Sequence, residues 1–228
     1  VPALPPQRPA PQSLAELARR AAGLYGRTTE ELVAPEFADA CARSTHQKGS
    51  VGQVVERILG ATAGSHAGPD FPELGVELKT VPVARSGAPK ESTFVCSVSV
   101  TEADRQTFER SVLRQKLRHV LWVPVVVDTG PLRFGAPWLW RPTAAQEAVL
   151  HADFDELVGR LAQGEAESLS ARAGRWLQLR PKAANGLARV RAYDADGQLQ
   201  WAMPRGFYLR AKVTHALFRD PSTLIGAD

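Results

Sequence analysis

Residues 70–80, DFPELGVELKT, combine a carboxylate, a turn and a short strand that carries a second carboxylate and a lysine. Strand side chains alternate between faces, so Glu77 and Lys79 point one way while Val76 and Leu78 point into a core. Pro69, Pro72 and Gly75 supply the turn that folds Asp70 back beside Glu77. Two converging carboxylates repel each other unless a cation lies between them, and hard oxygen ligands favour Mg²⁺. An ammonium beside that cation suits a phosphate or an attacking water. Asp70, Glu77 and Lys79 therefore meet the requirements of metal-assisted phosphodiester hydrolysis. The spacing D-x6-E-x-K is unspecific by itself, because a Glu/Lys pair two residues apart on a strand is most often a solvated face.

Upstream, Lys48-Gly49-Ser50-Val51-Gly52 leads into a helix ending near Leu59, with Val51, Val54, Val55, Ile58 and Leu59 as its buried stripe. Glu56 lies beside that stripe. It is a boundary residue unless the stripe packs on the Asp70 strand, in which case a third carboxylate approaches the metal. Downstream, TFVCSVSV (93–100) reads as a strand antiparallel to the first, joined through Ser86-Gly87-Ala88-Pro89, with Phe94 a core candidate. Residues 102–118 read as a helical stretch whose Arg105, Arg110, Arg114 and Arg118 form a solvated face. The apolar run 120–127 is a buried central strand, and Trp138-Leu139-Trp140 is a short one. Thr143 caps a long helix to about Gly164. Its stripe is Val149, Phe154, Leu157, Val158 and Leu161, and its outer, DNA-avoiding face carries Glu147, Asp153, Asp155 and Glu156.

Residues 1–12 hold five prolines and little to bury, which predicts a mobile tail ahead of a single domain over 13–228. Ser13-Leu14-Ala15-Glu16 is a capping box opening a helix to about Leu24, ended by Gly26, and Thr28-Thr29-Glu30-Glu31 looks like a second box. In the last third, Arg172, Arg175, Arg180 and Lys182 bracket a strand at 176–179. Arg180-Pro181-Lys182-Ala183-Ala184-Asn185 then reads as a rigid loop with two cations and an amide. Arg and Lys pair with guanine O6/N7 and Asn with adenine N6/N7, so such a loop can read base edges; a surface loop touching only phosphates is the alternative. Asp194-Ala195-Asp196-Gly197 is a hairpin tip, and 212–218 a short helix.

A chain of 228 residues buries a real core as one large domain or two small lobes. Its 44% hydrophobic and 23% charged residues are ordinary for a soluble globular protein. A net charge of +4 and a pI near 9.3 tolerate a polyanionic partner without proving one. The histidines form no HExxH pair and Cys41 and Cys96 no CxxC pair, so zinc is not expected. So few cysteines fit a reducing compartment. The start lacks a basic segment followed by an apolar run, and the longest apolar run is too short to span a bilayer and contains Pro124. A cytoplasmic protein with no membrane partner is expected. Periodicity alone gives α/β or α+β in one domain.

Several long segments together resemble the MutH family of mismatch-repair endonucleases, within the wider PD-(D/E)xK nuclease fold. They are DFPELGVELKT; KGxxG at 48–52 with Glu56 and GATAGS (60–65); TFVC (93–96); KLRHVLWVPV (116–125); RPKAAN (180–185); and PRGFYL (204–209). The resemblance covers about residues 13–218, and the tail FRDPSTLIGAD beyond it departs from the family pattern. It implies an α/β, restriction-endonuclease-like mixed sheet flanked by helices, with two lobes around a DNA-binding cleft. By this resemblance Asp70, Glu77, Glu56 and the Leu78 carbonyl hold Mg²⁺, Lys79 orients the attacking water and Lys116 supports the transition state. It also places Lys48, Gly49, Phe94, Arg180, Pro181, Lys182 and Tyr208 against DNA, with Tyr208 beside the adenine whose methylation is sensed. The implied target is the unmethylated strand of hemimethylated GATC, nicked 5′ of the G, with unmethylated GATC duplex also bound. The implied activator is the MutL ATPase, coupled to MutS, acting on a monomer. Two alternatives remain: a stand-alone restriction endonuclease cutting both strands of GATC, and a non-catalytic DNA-binding module. The intact Glu56, Asp70, Glu77 and Lys79 set speaks against the second.

Overall fold

The apolar run at 120–127 lies at the centre of a four-stranded sheet, as a segment with no polar face must. The computed structural model describes residues 4–33, 47–64, 66–128, 130–170, 172–182 and 187–222. Strand β3 (Val120–Val126) pairs in parallel with β1 (Glu77–Val83) and antiparallel with β4 (Arg133–Phe134) and β5 (Trp138–Trp140). The chain divides into two compact units, Val1–Glu91 with Arg118–Arg141, and Ser92–Leu117 with Pro142–Asp228. Parallel strands need a long crossover. Here the chain between β1 and β3 leaves the first unit after Glu91 and returns at Arg118.

In the first unit, helices α1 (Leu14–Ala22) and α2 (Gln47–Leu59) cover the sheet. Leu17, Ala21 and Leu24 meet Val51, Val55 and Leu59 of α2, and Val76, Leu78, Leu121 and Val123 complete the core. The KGSVG segment is the first turn and a half of α2 rather than a loop before it. Ser13 caps α1 by accepting from the Glu16 N–H, while the Glu16 carboxylate reaches to the Gln12 N–H. Thr28 and Glu31 make the reciprocal bonds of a second box, yet residues 28–33 form a turn. The backbone there is engaged with the strand region instead, Thr28 bridging Arg133 and Thr29 N–H donating to Leu132 O.

The described part of the proline-rich start makes hydrogen bonds to α1, α2 and the residues after α2. Prolines offer carbonyls without N–H groups, and two arginines collect them. Arg57 donates to Pro5 O, and Arg20 bridges Pro9 O and Leu59 O at 2.7 and 2.9 Å. The Gln7 amide donates to Ala61 O, and Leu4 packs near Val33 and Val54.

In the second unit β9 (Arg205–Leu209) lies between β2 (Thr93–Val98) and β6 (Leu177–Pro181), all antiparallel. The expectation that β2 pairs with β1 is therefore wrong. The 84–89 turn closes on β1's own end, with Ala84 N–H donating to Ala88 O, and β1 takes β3 as its neighbour. The basic stretch at 102–118 is not one helix. Gln106, Thr107 and Ser111 are extended, and they separate two 3₁₀ turns from α3 (Val112–Leu117). Helix α4 (Ala144–Ala162) has the complete Thr143–Gln146 capping box, and Phe154 on it stacks on Phe207 at 5.5 Å. Strands β7 (Val190–Tyr193) and β8 (Leu199–Ala202) form the expected hairpin, and α5 (Ala211–Arg219) follows β9.

Asp153 corrects the reading of α4. It is 2% exposed, and its carboxylate accepts from the N–H groups of Arg175, Trp176 and Leu177 at 2.8, 2.6 and 2.7 Å. These N–H groups lead into β6, and a buried carboxylate that accepts several N–H bonds is satisfied without a metal or solvent. Glu147 and Asp155 do face outward, paired with Arg114 and His151.

Candidate active site and nucleic-acid surface

The Asp70 turn is built by its own residues. A 3₁₀ turn at Pro72–Leu74 ends at Gly75, whose φ of +62° lies in the left-handed region that glycine adopts without strain. Phe71 and Val76 close the loop as an antiparallel bridge. Asp70 is thereby returned to the strand, where its Oδ2 accepts from Leu78 N–H at 2.7 Å. Glu77 N–H donates to His119 O at 2.9 Å, which fixes the start of β1 beside β3. Glu77 is 1% exposed, and Lys79 Nζ lies 2.6 Å from its Oε1. The two side chains share a face, as alternation predicts, while Val76 and Leu78 lie in the core. Val81 on the Glu77 face is buried as well, so β1 is covered on both sides. A charge so buried needs a partner, and Lys79 provides one. Burial and the Arg141 guanidinium, 3.3 Å from Nδ1, hold the neighbouring His119 imidazole below its ordinary pKa, so it stays neutral near pH 7.

Glu56 is half-buried on α2, which packs on β1. Its carbonyl accepts from Gly60 and Ala61, and the next residues, Thr62 and Ala63, donate to the Asp70 carbonyl at 3.0 and 3.3 Å. Among the described residues no three His, Cys, Asp or Glu side chains gather into a ready metal cage. The donors on this segment are hard oxygens: the Asp70 carboxylate, which accepts from Leu78 N–H, and the Glu77 carboxylate one residue before Leu78. Such a set fits Mg²⁺, which keeps several waters and binds through one or two carboxylates together with substrate phosphate.

A different surface forms in the second unit. Phe94 and Tyr208 are register partners on β2 and β9, with ring centroids 5.2 Å apart and planes at 62°. The Arg180 guanidinium lies 5.5 Å from the Tyr208 ring and Lys182 Nζ 4.6 Å from the Phe94 ring. Phe94 is half-buried beneath a cation rather than enclosed in the core. Arg180, Pro181 and Lys182 are exposed, and Lys182 N–H donates to Pro204 O, continuing the β6–β9 pairing. Ala183, Ala184 and Asn185 lie outside the described residues, as does the side chain of Lys48, although Lys48 and Gly49 belong to α2. Lys116 is half-buried on α3, in the second unit.

Sequence reasoning missed three residues. Asp153 sits in the stripe Leu150, Phe154, Leu157, and a carboxylate inside an apolar stripe signals a buried acceptor. Gly206 in mid-strand signals a close approach. Arg205 is buried beside the carbonyls of Glu167 and Leu169, and burial lowers its pKa against the opposing influence of Glu167.

Comparison with known proteins adds the following. A family model described as "DNA mismatch repair enzyme MutH" matches residues 59–153, which include Asp70, Glu77, Lys79 and Lys116. The DNA mismatch repair protein MutH of Shewanella amazonensis is 43% identical over 214 residues, 92% of this chain and 96% of that protein. That of Pectobacterium atrosepticum is 42% identical over 212 residues, covering 91% and 92%. That of Vibrio cholerae is 43% identical over 211 residues, covering 91% and 96%. The similarity to these relatives thus extends well past residue 153, through the Arg180–Tyr208 surface.

Proposed function

The chain belongs to the MutH family of DNA mismatch repair enzymes, and from that premise we propose an endonuclease that uses Mg²⁺ to nick the unmethylated strand of hemimethylated GATC. The observation that carries the catalytic half is the return of Asp70 onto Leu78 N–H, one residue from the buried Glu77–Lys79 pair. Asp70, Glu77 and the Leu78 carbonyl would hold the metal, with Glu56 as the further carboxylate. Held there, the metal would supply polarisation of the phosphate and acidification of a water. Lys79 orients that water and offsets negative charge. Lys116 offsets the charge that builds on the scissile phosphate.

Recognition falls to the second unit's surface. Arg180 and Lys182 offer donors to guanine O6 and N7. Tyr208 forms a wall against adenine, where an N6-methyl group adds bulk and removes a donor hydrogen. Pro181 stiffens the strand end, Phe94 lines the same surface, and Lys48 and Gly49 approach the DNA backbone. The protein acts as a cytoplasmic monomer activated by the MutL ATPase downstream of MutS. Among the described residues no helix is long and apolar enough to cross a membrane.

The test is a nicking assay on one GATC duplex in its four methylation states, in Mg²⁺, with and without MutL. Nicking confined to unmethylated strands and stimulated by MutL is expected. Rapid unaided cutting of both strands would point to a restriction enzyme. No nicking in Mg²⁺ or Mn²⁺, even with MutL, would leave a binding module.

A further inference from the structure

Gly206 stands in the middle of β9, between Ser97 of β2 and Arg180 of β6. A glycine inside a central strand weakens it, and is kept where something else needs the space. The neighbours show what needs it. An added Cβ would lie 2.8 Å from Phe94 Cε2, 3.1 Å from the Cys96 carbonyl and 3.3 Å from Lys182 Cβ. The carbonyl is backbone and cannot yield. The Phe94 ring cannot yield without disturbing its edge contact with Tyr208. The glycine therefore lets the ring lie across β9, and Lys182 rests over that ring.

Such a seat has a definite electrostatic consequence. Arg180 and Lys182 leave the same strand end, both exposed, and two like charges on long stems tend to diverge in water. A carboxylate partner would hold them but neutralise them. An aromatic face holds a cation while leaving its charge and its N–H donors available to a ligand. We infer that Phe94 and Gly206 are positioning residues: the Phe94 ring, seated in the space Gly206 leaves, holds Lys182 ready for duplex DNA. Phe94 then acts on DNA through Lys182 rather than by its own contact. This rests on the proposal that Lys182 meets DNA, and the experiment separates the two.

The measurement is the affinity of the full chain for a hemimethylated GATC duplex across a salt series, with Ca²⁺ replacing Mg²⁺ to limit cleavage. The variants are K182M, F94L, F94Y, G206A and the F94L/K182M and F94L/G206A doubles, each with its thermal midpoint. K182M should weaken binding about tenfold and lower the salt slope by about one. F94L should reproduce most of both effects, and the F94L/K182M double should be no weaker than K182M. F94Y keeps the ring and should stay near the parent protein. G206A should lower the salt slope as F94L does and lower it no further in the F94L background, while its thermal midpoint drops in both backgrounds because the Cys96 carbonyl still meets the added Cβ. Simple misfolding lowers the active fraction and leaves the salt slope of the folded remainder unchanged, so the slope separates a lost seat from a lost fold. Losses for F94L and K182M that multiply to about a hundredfold overturn the inference. So does an F94L variant with parental affinity and slope, or an F94Y variant as weak as F94L. If K182M itself has no effect, the DNA contact of Lys182 falls and the inference falls with it.

Discussion

At the start of β1 the charged groups are buried or half-buried and held by near neighbours; at the β6–β9 edge they are exposed and rest on rings. Glu77 is paired within a covered strand and Asp70 is spent on Leu78 N–H. Arg180 and Lys182 keep their charge and lie over Tyr208 and Phe94. Bond breaking needs groups fixed in place where water screens little. Reading a sequence needs donors that can still be given to a base. The contrast separates two kinds of variant: those that stop the chemistry and those that loosen the grip.

The largest effect tests the first half. Asp70→Asn keeps an acceptor for Leu78 N–H and removes the charge, and Lys79→Ala removes the ammonium. Each should reduce nicking in Mg²⁺ by at least about a thousandfold, while duplex affinity changes by a few-fold at most. Residual nicking near the parental rate in either variant would take the chemistry away from β1.

Asp153 belongs to neither surface, yet the second depends on it. It holds the start of β6, whose far end carries Arg180. Asp153→Ala strands two buried N–H groups and one part-buried one, and should lower stability by roughly 3 kcal/mol, given 1–3 kcal/mol for each buried group that loses its partner. A denaturant midpoint measures this. Asp153→Asn keeps one acceptor oxygen and should recover part of the loss.

Arg180→Met should weaken duplex binding about tenfold, as a lost base or phosphate contact does. Its nicking rate at saturating DNA should stay within a few-fold of the parental rate. A loss confined to the saturated rate, with affinity unchanged, would move Arg180 to the catalytic side of the contrast.

These predictions also mark what the sequence can yield. The geometry of the 70–80 segment is legible because it is local: one turn and one strand, with alternation placing Glu77 and Lys79 together. The central strand at 120–127 is legible from its unbroken apolar run, and the long helix from its cap. The partner of β2 is not, because strand pairing is a long-range choice that no periodicity encodes. β2 pairs with β9, more than a hundred residues away. Asp153 is easily misread because helical charge is ordinarily solvated, and only its place in the stripe argues otherwise. The grip of Arg20 and Arg57 on the proline carbonyls depends on contacts between distant segments, so composition alone suggests a tail.

Two glycines give the finest test, because each serves one of the surfaces for a different reason. Gly206 is needed for space, with Phe94 pressed against the position of its missing Cβ. Gly75 has open space around it but a φ of +62°. An alanine there clashes with nothing outside its own peptide and is strained only by the left-handed backbone, which costs about 1 kcal/mol. Gly75→Ala should lower the thermal midpoint slightly and slow nicking through a displaced Asp70, with duplex affinity unchanged. Asparagine tolerates the left-handed region, so Gly75→Asn should restore most of both losses. No such rescue is expected at Gly206, where asparagine adds more bulk than alanine. If Gly75→Asn is no better than Gly75→Ala, the turn is not held by φ, and the return of Asp70 needs another cause.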